Sequence, residues 1–278
     1  MKKLTIIGLG LMGASIAWNA KKARVAETIV GFDQRRSACN IAMDRHFVDA
    51  TSTSLKKVIK DTDLVIIAVP VSQMETIMQQ LNSLIAKNTV VTDVGSTKQS
   101  VINDSKEYLT SHLSQFVPGH PVTGSERQGG ENAIKDLFQK SKIILTPTEK
   151  THPTAIKLVE KFWKKLGAKT EIMPADEHDK ILALTSHLPH ILAMAFMNAN
   201  NENSLNYVGG GFKSFTRIAQ ANADIWSDIL IANCEAIIEQ LTNFRNQLDN
   251  FETAIANTDR DLITRLIKQS KNLREKIA

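Results

Sequence analysis

The sequence predicts an α/β protein in which an N-terminal, mostly parallel sheet is followed by an all-helical C-terminal part. Two observations carry this prediction. Over residues 1–173, short apolar runs alternate with helix-compatible segments, which is typical of a parallel sheet with helices on both faces. The strand signals then stop, and residues 174–278 show only helical periodicity. We therefore expect two domains, 1–173 and 174–278, without a flexible linker between them.

In the first domain, the strands and helices follow each other in regular order along the chain. The predicted strands lie within residues 4–13, 27–33, 63–70, 88–96, 116–121 and 142–148, with 168–174 as a last edge strand. The predicted helices are residues 14–23, 35–46, 74–86, 98–113 and 154–167. This order predicts a Rossmann-type sheet, whose ligands bind beyond the carboxyl ends of its strands.

The second domain contains helical segments around one glycine-rich stretch. The helical periodicity covers residues 176–200, 218–256 and 259–278, with at most one break in the long middle segment. Pro189 is expected at a helix start or a kink, and residues 207–217 are expected to form a loop. We expect these helices to bury their apolar faces against a second subunit, which predicts a homodimer.

Three glycines near the N-terminus have the spacing of a dinucleotide-binding loop. Gly8, Gly10 and Gly13 follow the first strand at G-x-G-x-x-G spacing, and Asp33 ends the second strand 20 residues after Gly13. The pyrophosphate is expected on the free N–H groups at the start of the following helix. The basic start and apolar run also resemble a secretory signal peptide. Glycines at this spacing, followed directly by a second strand, argue against that alternative.

The acidic residue at the end of the second strand indicates which dinucleotide binds. Asp33 is expected to accept hydrogen bonds from the ribose hydroxyls and to repel a 2′-phosphate, which favours NAD over NADP. Arg35 and Arg36 follow it and soften that preference. The residues expected to contact the cofactor are Gly8, Leu9, Gly10, Leu11, Met12, Gly13, Asp33, Val69, Pro70 and Ser96.

Composition narrows the class of protein further. The chain has 278 residues with a net charge of +5, and 42% of its residues are hydrophobic. The charge suits a small anionic substrate, whereas the scattered Lys and Arg and the few aromatics do not favour nucleic acid. The longest apolar runs, such as 64–71, are too short to cross a membrane. Cys39 and Cys234 lie far apart, which favours a reduced, cytoplasmic protein.

Several polar residues follow the predicted strands, where a Rossmann-type sheet binds its ligands. Ser96 and Lys98 follow the strand within 88–94, while His120, Ser125 and Glu126 follow the next short strand. Histidine is the side chain best able to accept a proton near neutral pH. Taken alone, His120 is equally compatible with a structural role.

The helical part adds three histidines, an arginine and a tryptophan. His187 and His190 are three residues apart and can face the same side of a helix, and His178 precedes them. The sequence predicts no metal site, because no cysteine lies near these histidines and no H-E-x-x-H spacing occurs. Capping or core histidines remain the alternative. Arg217 suits a carboxylate, with a surface ion pair as its alternative, and Trp226 lies nine residues later.

Taken together, these motifs resemble the TyrA family, the prephenate and arogenate dehydrogenases of tyrosine biosynthesis. The resemblance rests on GLGLMGAS, DVGSTK, GHPVTGSERQG, HDKILALTSHLPH and the later Arg217 and Trp226, in order over nearly the whole chain. The glycine motif and GHP are shared more widely among NAD-dependent dehydrogenases, whereas GHP-x-x-G combined with HD-x-x-x-A-x-x-SHLPH is specific.

The resemblance implies an oxidative decarboxylation, in which hydride leaves C4 of a cyclohexadienol and the ring carboxylate departs as CO2. By resemblance, His120 accepts a hydrogen bond or proton from the C4 hydroxyl, and Ser96 bonds the same hydroxyl or orients His120. Arg217 is expected to hold a substrate carboxylate. The other implied substrate contacts are Glu126 at the pocket mouth, Ser125, Lys213 from either subunit, His190, His187, His178 and Trp226 in the pocket wall. The resemblance also implies a helical dimerisation domain. Because the two expected domains use all 278 residues, we expect neither a fused chorismate mutase nor a C-terminal regulatory domain.

The substrate and two other classes of function stay open at this point. Prephenate and arogenate differ in a keto against an ammonium group, and we expect prephenate, although Glu126 suits an ammonium group. A β-hydroxyacid dehydrogenase or ketopantoate reductase has a similar architecture but would not need SHLPH with Arg217 and Trp226. A non-catalytic NAD-binding protein would not need His120, Ser96 and Arg217 together.

Overall fold

The computed structural model describes residues 1–277, and its contacts divide the chain into two compact units. The first unit is Met1–Asn233, and the second begins at Cys234. All candidate site residues lie in the first unit, so the geometry of the site is described within that unit. The second unit consists of two helices, α12 (Cys234–Ala256) and α13 (Arg260–Arg274).

A six-stranded parallel sheet forms the centre of the first unit, as the alternating pattern predicts. Its strands have the order β3-β2-β1-β4-β5-β6, and every pair is parallel. This order reverses direction beside β1, which creates the crevice where such sheets bind dinucleotides. The strands are β1 (Lys3–Ile7), β2 (Thr28–Phe32), β3 (Ala50–Ser52), β4 (Leu64–Ile67), β5 (Val90–Asp93) and β6 (Phe116–Val117).

The strand residues alternate between two buried cores because successive side chains point to opposite faces of a sheet. In β4, Leu64 and Ile66 join one core, whereas Val65 and Ile67 join the other. Helices cover both faces, so the sheet is buried on each side. These helices are α1 (Leu11–Lys22), α2 (Arg36–Asp44), α3 (Leu55–Val58), α4 (Met74–Leu84), α5 (Gln99–Tyr108) and α6 (Pro153–Lys165).

The last predicted strands form a second sheet instead of extending the first. Residues 116–121 are predicted as one strand, but they divide at Pro118, which has no N–H to donate. β7 (Gly119–Val122) then pairs antiparallel with β8 (Lys142–Leu145), and β9 (Lys169–Ile172) pairs parallel with β8. The edge strand predicted at 168–174 is therefore an edge of this small sheet.

The remaining helices of the first unit follow β9, and a wide helical turn separates the first two of them. They are α7 (Ala175–Leu182), α8 (Leu188–Asn198), α9 (Glu202–Leu205), α10 (Gly210–Thr216) and α11 (Ala223–Ala232), with a π-helical turn at Ala183–His187. Pro189 lies in the first turn of α8, as expected. The loop predicted at 207–217 is wrong from Gly210 onward, because α10 begins there. The segment predicted at 218–256 with at most one break is interrupted twice: at residues 221–222, before α11, and at Asn233, between α11 and α12.

Candidate active site

The glycine loop between β1 and α1 leaves room for a pyrophosphate. Gly8 has φ +92°, and a Cβ on Gly13 would lie 1.8 Å from the Gly8 carbonyl oxygen, so both positions require glycine. A Cβ on Gly10 would meet no atom within 4 Å, and no side chain caps α1 at this residue. The backbone therefore presents an open, uncapped helix N-terminus, which fits a dinucleotide phosphate.

Asp33 holds this loop from the end of β2. Its Oδ2 accepts the Leu9 N–H at 2.9 Å, and its Oδ1 accepts the Arg35 N–H at 2.9 Å. The Arg35 guanidinium adds a weaker contact, with Nε 3.3 Å from Oδ1. The Leu9 side chain is fully buried and its N–H is already bonded, so it shapes the loop. Half-buried residues follow at the same edge of the sheet, namely Leu11, Met12, Val69, Pro70 and Ser96.

A buried ion pair fixes the backbone in front of His120. The Lys98 ammonium donates to Asp93 Oδ2 and to the Gly119 carbonyl, the latter at 2.8 Å. Asp93 Oδ1 in turn accepts the Gly119 N–H at 3.0 Å. Both charged side chains are fully buried, so each depends on the other for its stability. The two polar groups of Gly119 are thereby held, and the next residue, His120, is placed at the start of β7.

His120 contacts a second histidine and, through it, a carboxylate. The His120 Nδ1 and His178 Nε2 atoms are 2.9 Å apart, and His178 Nδ1 is 2.7 Å from Asp179 Oδ1. Asp179 also accepts the N–H groups of Lys98 and Gln99, at 2.8 and 2.9 Å. The carboxylate therefore joins the start of α5 to the histidine pair across the interface between α5 and α7.

Burial sets the charge of these groups. Burial lowers the pKa of His120 well below its usual value, and the neighbouring titratable groups His178, Lys98 and His187 also disfavour a charge on its ring. Burial also lowers the pKa of His178, although its bond to Asp179 opposes this shift. Burial alone would raise the pKa of Asp179, but its hydrogen bonds from His178, Gln99 and Lys98 outweigh this and lower it. At neutral pH the site therefore contains two neutral imidazoles and a carboxylate.

The π turn brings a further histidine to this region. His187 follows His178 by nine residues, which would place them on opposite sides of a regular helix at roughly 100° per residue. The wider π turn advances by less per residue and reduces this separation. Asn233 Nδ2 then lies 2.9 Å from the Asp179 carbonyl oxygen and 3.1 Å from His187 Nδ1. Burial lowers the pKa of His187 to about 4.

Trp226 and His190 form an aromatic wall beside His187. The His190 ring stacks on Trp226 with centroids 3.7 Å apart, and the His187 ring meets Trp226 edge-on at 6.0 Å. His190 Nδ1 lies 2.9 Å from the Ser186 carbonyl oxygen, which requires the proton on that nitrogen. Burial lowers the pKa of His190, so its ring is neutral and Nε2 is an acceptor.

An exposed ion pair lies at the outer side of the site. Arg217 Nη1 is 3.5 Å from Glu126 Oε2, and both side chains are substantially exposed. Ser125 is half-buried, with its Oγ accepting the Arg127 N–H at 3.2 Å, and Lys213 is exposed on α10. Within residues 1–277, no group of three or more His, Cys, Asp and Glu side chains could hold a metal ion.

The structure thus brings most of the candidate residues to one edge of the first unit. His120 and His178 touch, His187 and His190 meet Trp226, and Arg217 meets Glu126. His178 is fully buried behind His120, so it contacts His120 rather than lining a surface. Sequence reasoning missed Asp93, Asp179 and Asn233. For Asp179 the signal is the HD pair in HDKILALTSHLPH.

The fold and this geometry define an NAD-dependent dehydrogenase of the Rossmann type. Comparison with known families gives two matches in succession: residues 16–172 match "Prephenate dehydrogenase, nucleotide-binding domain", and residues 174–269 match "Prephenate dehydrogenase, dimerization domain". The chain belongs to the prephenate dehydrogenase family. The resemblance inferred from its motifs is confirmed, as are the fold class and the cofactor NAD.

Individual relatives match over nearly the whole chain. A cyclohexadienyl dehydrogenase of Zymomonas mobilis is 32% identical, over 98% of this chain and 95% of the relative. A prephenate dehydrogenase of Lactococcus lactis is 33% identical, over 99% of this chain and 77% of the relative. The crystal structure of prephenate dehydrogenase from A. aeolicus with hydroxyphenyl propionate and NAD+ is 30% identical, with a TM-score of 0.92 and coverage of 100% and 99%.

Proposed function

We propose that this protein oxidises prephenate to 4-hydroxyphenylpyruvate with NAD, and that His120 accepts the proton of the C4 hydroxyl. The observation that carries this proposal is the buried, neutral imidazole of His120. Lys98 holds the backbone of the preceding residue, Gly119, and the glycine loop lies at the same edge of the sheet. A neutral imidazole can accept a proton, whereas an imidazolium cannot. The names of the family and of the relatives support the substrate class.

The protein residues in this reaction bind, orient and move one proton. The bound nicotinamide supplies the hydride acceptor. As the hydride leaves C4, the hydroxyl O–H bond breaks and the proton passes to His120. Ser96, half-buried after β5, is the hydroxyl group available to orient that substrate oxygen. Aromatisation of the ring accompanies loss of CO2, so the protein mainly has to position the substrate and bind its charge.

Arg217 is the carboxylate-binding group in this proposal. Its guanidinium is exposed, and it lies beside the His190 and Trp226 wall, where its charge lowers the pKa of His190 further. A planar guanidinium can bind a carboxylate through two parallel hydrogen bonds. His187, Ser125 and Lys213 are the further substrate contacts that we propose, and Lys213 is accessible to its own site or to a partner's.

The ion pair between Glu126 and Arg217 favours prephenate over arogenate as the substrate. An acid near the substrate side chain would bind the arogenate ammonium, and Glu126 is the candidate. Its carboxylate already faces Arg217 at 3.5 Å, so its charge is partly compensated before a substrate binds. An uncompensated acid would discriminate more strongly for an ammonium group. Arogenate oxidation is the second candidate, and the side-chain specificity depends on this pair.

We further propose that the chain is a cytoplasmic homodimer, with domains 1–173 and 174–278. Large apolar side chains are exposed along the helical part of both units, which favours burial against a second copy. They include Phe196, Tyr207, Phe215 and Ile231 in the first unit and Ile238, Leu248, Ile255 and Ile267 in the second. One helical stretch, Ala175–Asn198, has the length and mean hydropathy of a membrane span. Its His178 and Asp179 are bonded within the folded unit, which favours a core helix.

Reduced-nicotinamide absorbance tests the reaction directly. NAD and NADP are each combined with prephenate and arogenate, and the purified protein is added. We expect fast reduction of NAD with prephenate. Reduction only with arogenate would keep the mechanism and change the substrate, with Glu126→Gln as the next variant. No reduction in any of the four combinations would refute the proposal.

Two substitutions test the residue roles. His120→Asn should abolish turnover while NAD affinity stays nearly unchanged, and His152→Asn is its control. His152 is an exposed histidine at the start of α6, where asparagine also caps a helix. Arg217→Ala should raise KM strongly, because a substrate carboxylate would remain unpaired. Retained turnover in His120→Asn, or an unchanged KM in Arg217→Ala, would remove that residue from its role.

A further inference from the structure

We propose that Asp179 and His178 are positioning residues that determine which nitrogen of His120 carries its proton, leaving Nε2 as the basic atom. This inference rests on the proposed role of His120 as proton acceptor. It concerns two residues that do not touch the substrate in this proposal, since His178 is fully buried and Asp179 lies behind it. They act through the hydrogen bonds that connect them to His120.

The ionised carboxylate of Asp179 can only accept hydrogen bonds. Asp179 Oδ1 lies 2.7 Å from His178 Nδ1, so that nitrogen must carry a proton. The low pKa of Asp179 keeps it ionised at neutral pH. Since burial keeps His178 neutral, its other nitrogen, Nε2, has a lone pair and accepts.

The lone pair on His178 Nε2 in turn fixes the proton of His120. His178 Nε2 is 2.9 Å from His120 Nδ1, so His120 must donate from Nδ1. A neutral imidazole has only one N–H, and therefore the Nε2 of His120 holds the lone pair. Through these two hydrogen bonds, the Asp179 carboxylate determines which nitrogen carries the proton in both rings. An aspartate that holds a catalytic imidazole in one tautomer has the same function in serine proteases.

Other contacts keep this chain of bonds from rearranging. Asp179 Oδ1 and Oδ2 also accept the backbone N–H groups of Lys98 and Gln99, which prevents rotation of the carboxylate. The other titratable groups near the histidine pair are Lys98, Asp93 and His187; the first two are paired with each other, and His187 is neutral at neutral pH. Asp179 is therefore the carboxylate in direct contact with the pair.

The arrangement also stabilises the product of the proton transfer. When the Nε2–H bond forms at the expense of the substrate O–H bond, His120 becomes an imidazolium. Its Nδ1–H stays bonded to His178, and the negative charge of Asp179 acts on the new positive charge through this bond. Removal of that charge should lower the pKa of His120 and slow the proton transfer.

The tautomers can be measured in the intact protein with bound NAD+. Nitrogen-15 spectra of histidine-labelled protein distinguish Nδ1–H from Nε2–H, and His120→Asn and His178→Gln assign the two signals. We expect Nδ1–H on both rings at neutral pH. A proton on Nε2 of His120 would overturn the inference without affecting the proposed reaction.

Kinetics of Asp179→Asn test the consequence. The amide can turn its NH2 group toward His178, which would force the opposite tautomer along the chain. We expect kcat to fall by up to about 10⁴-fold, which is the loss seen when the triad aspartate becomes asparagine. KM and NAD affinity should stay within about threefold, and the acid limb of kcat should move to lower pH because the His120 pKa falls.

Asp63→Asn is the matched control for loss of stability. Asp63 accepts the N–H groups of two successive residues, Lys2 and Lys3, as Asp179 does for Lys98 and Gln99. It contacts no histidine among the described residues. This control should lower the melting temperature while leaving kcat and its pH profile unchanged.

A pair of substitutions at His178 covers the case in which Asp179→Asn does not fold. His178→Leu removes the acceptor for His120 Nδ1–H, whereas the amide oxygen of His178→Gln can replace it. We expect kcat to fall at least tenfold in the first variant and to recover substantially in the second. Equal kcat in folded His178→Leu and the parent would overturn the inference. If His120→Asn also retained activity, the proposed role of His120 as proton acceptor would be wrong, whereas the function itself is tested separately by NAD reduction with prephenate.

Discussion

The buried histidine in the π turn should make the fold sensitive to mild acid. Burial lowers the pKa of His187 to about 4, against 6.5 for an exposed histidine. As pH falls below 6.5, the unfolded chain binds a proton that the folded protein excludes, so stability is lost until pH reaches the folded pKa. For these two values, the loss of unfolding free energy between pH 7.5 and 5 is about 2 kcal/mol.

The substitution His187→Asn isolates this contribution. Asparagine does not titrate, and its Oδ1 can replace Nδ1 as the acceptor for Asn233. The other buried histidines contribute to acid sensitivity in both proteins, and their effects cancel in the comparison. The change in unfolding free energy between pH 7.5 and 5 should therefore be about 2 kcal/mol smaller in the variant.

Urea unfolding at pH 7.5 and 5, followed by circular dichroism at one protein concentration, measures this difference. Leu182→Ala serves as the control, because it removes buried volume near the π turn without removing a titratable group. It should lower stability equally at both pH values. If His187→Asn loses as much stability between these pH values as the parent, His187 is not a buried neutral group in the folded protein.

Three further predictions concern the cofactor loop and the base. Gly13→Ala places a Cβ 1.8 Å from the Gly8 carbonyl oxygen, so NAD affinity, measured by fluorescence titration, should fall about 100-fold or more. Gly211→Ala is the control and should not change NAD affinity, because its Cβ meets no atom within 4 Å. Arg35→Ala frees the Asp33 carboxylate, so the ratio of kcat/KM for NAD over NADP should rise several-fold; an unchanged ratio would contradict the pairing. The acid limb of kcat should lie below pH 6.5, because burial lowers the His120 pKa and only the neutral ring accepts a proton; a limb above pH 6.5 would contradict this.

The parallel sheet was predictable because its signals are local. Each strand of the main sheet is a short apolar run, and the glycines of the first loop have a fixed spacing. The division at Pro118 was less visible. The residues on both sides are compatible with a strand, and only pairing with β8 shows that β7 belongs to another sheet. The short β3 and α3 were also missed, because segments of three or four residues show no periodicity.

The glycine-rich stretch shows how tertiary structure overrides local propensity. Three successive glycines before Phe212 disfavour a helix, and a loop is the natural prediction. The structure nevertheless begins α10 at Gly210, and Phe212 packs against Phe196 of α8 with ring centroids 5.4 Å apart. Packing of an apolar face supplies most helical stability in proteins, so a distant contact decides the outcome here.

The candidate site was predictable as a set of residues but not as a network. Histidine, arginine and tryptophan are conspicuous in a sequence, and the position of His120 after a strand indicated the edge of the sheet where ligands bind. The Asp179 carboxylate is held by the N–H of Lys98, 81 residues earlier and next to the start of α5, and the spacing of these two residues gives no sign of their contact. A carboxylate beside a histidine on a helix is usually a solvated pair, so burial was the missing information.

The π turn separates the histidines of this helical stretch into two groups: His178 contacts His120, whereas His187 and His190 contact Trp226. Spacing alone groups His187 with His190, and both do meet Trp226. The spacing of nine residues between His178 and His187 would place them on opposite sides of a regular helix, yet Asn233 connects His187 to the backbone of Asp179. One wider turn thus lets a single helical stretch contact the base on one side and form the aromatic wall on the other. Because a π turn is costly in isolation and occurs frequently at functional sites, its position between these two groups is itself an argument that both belong to one site.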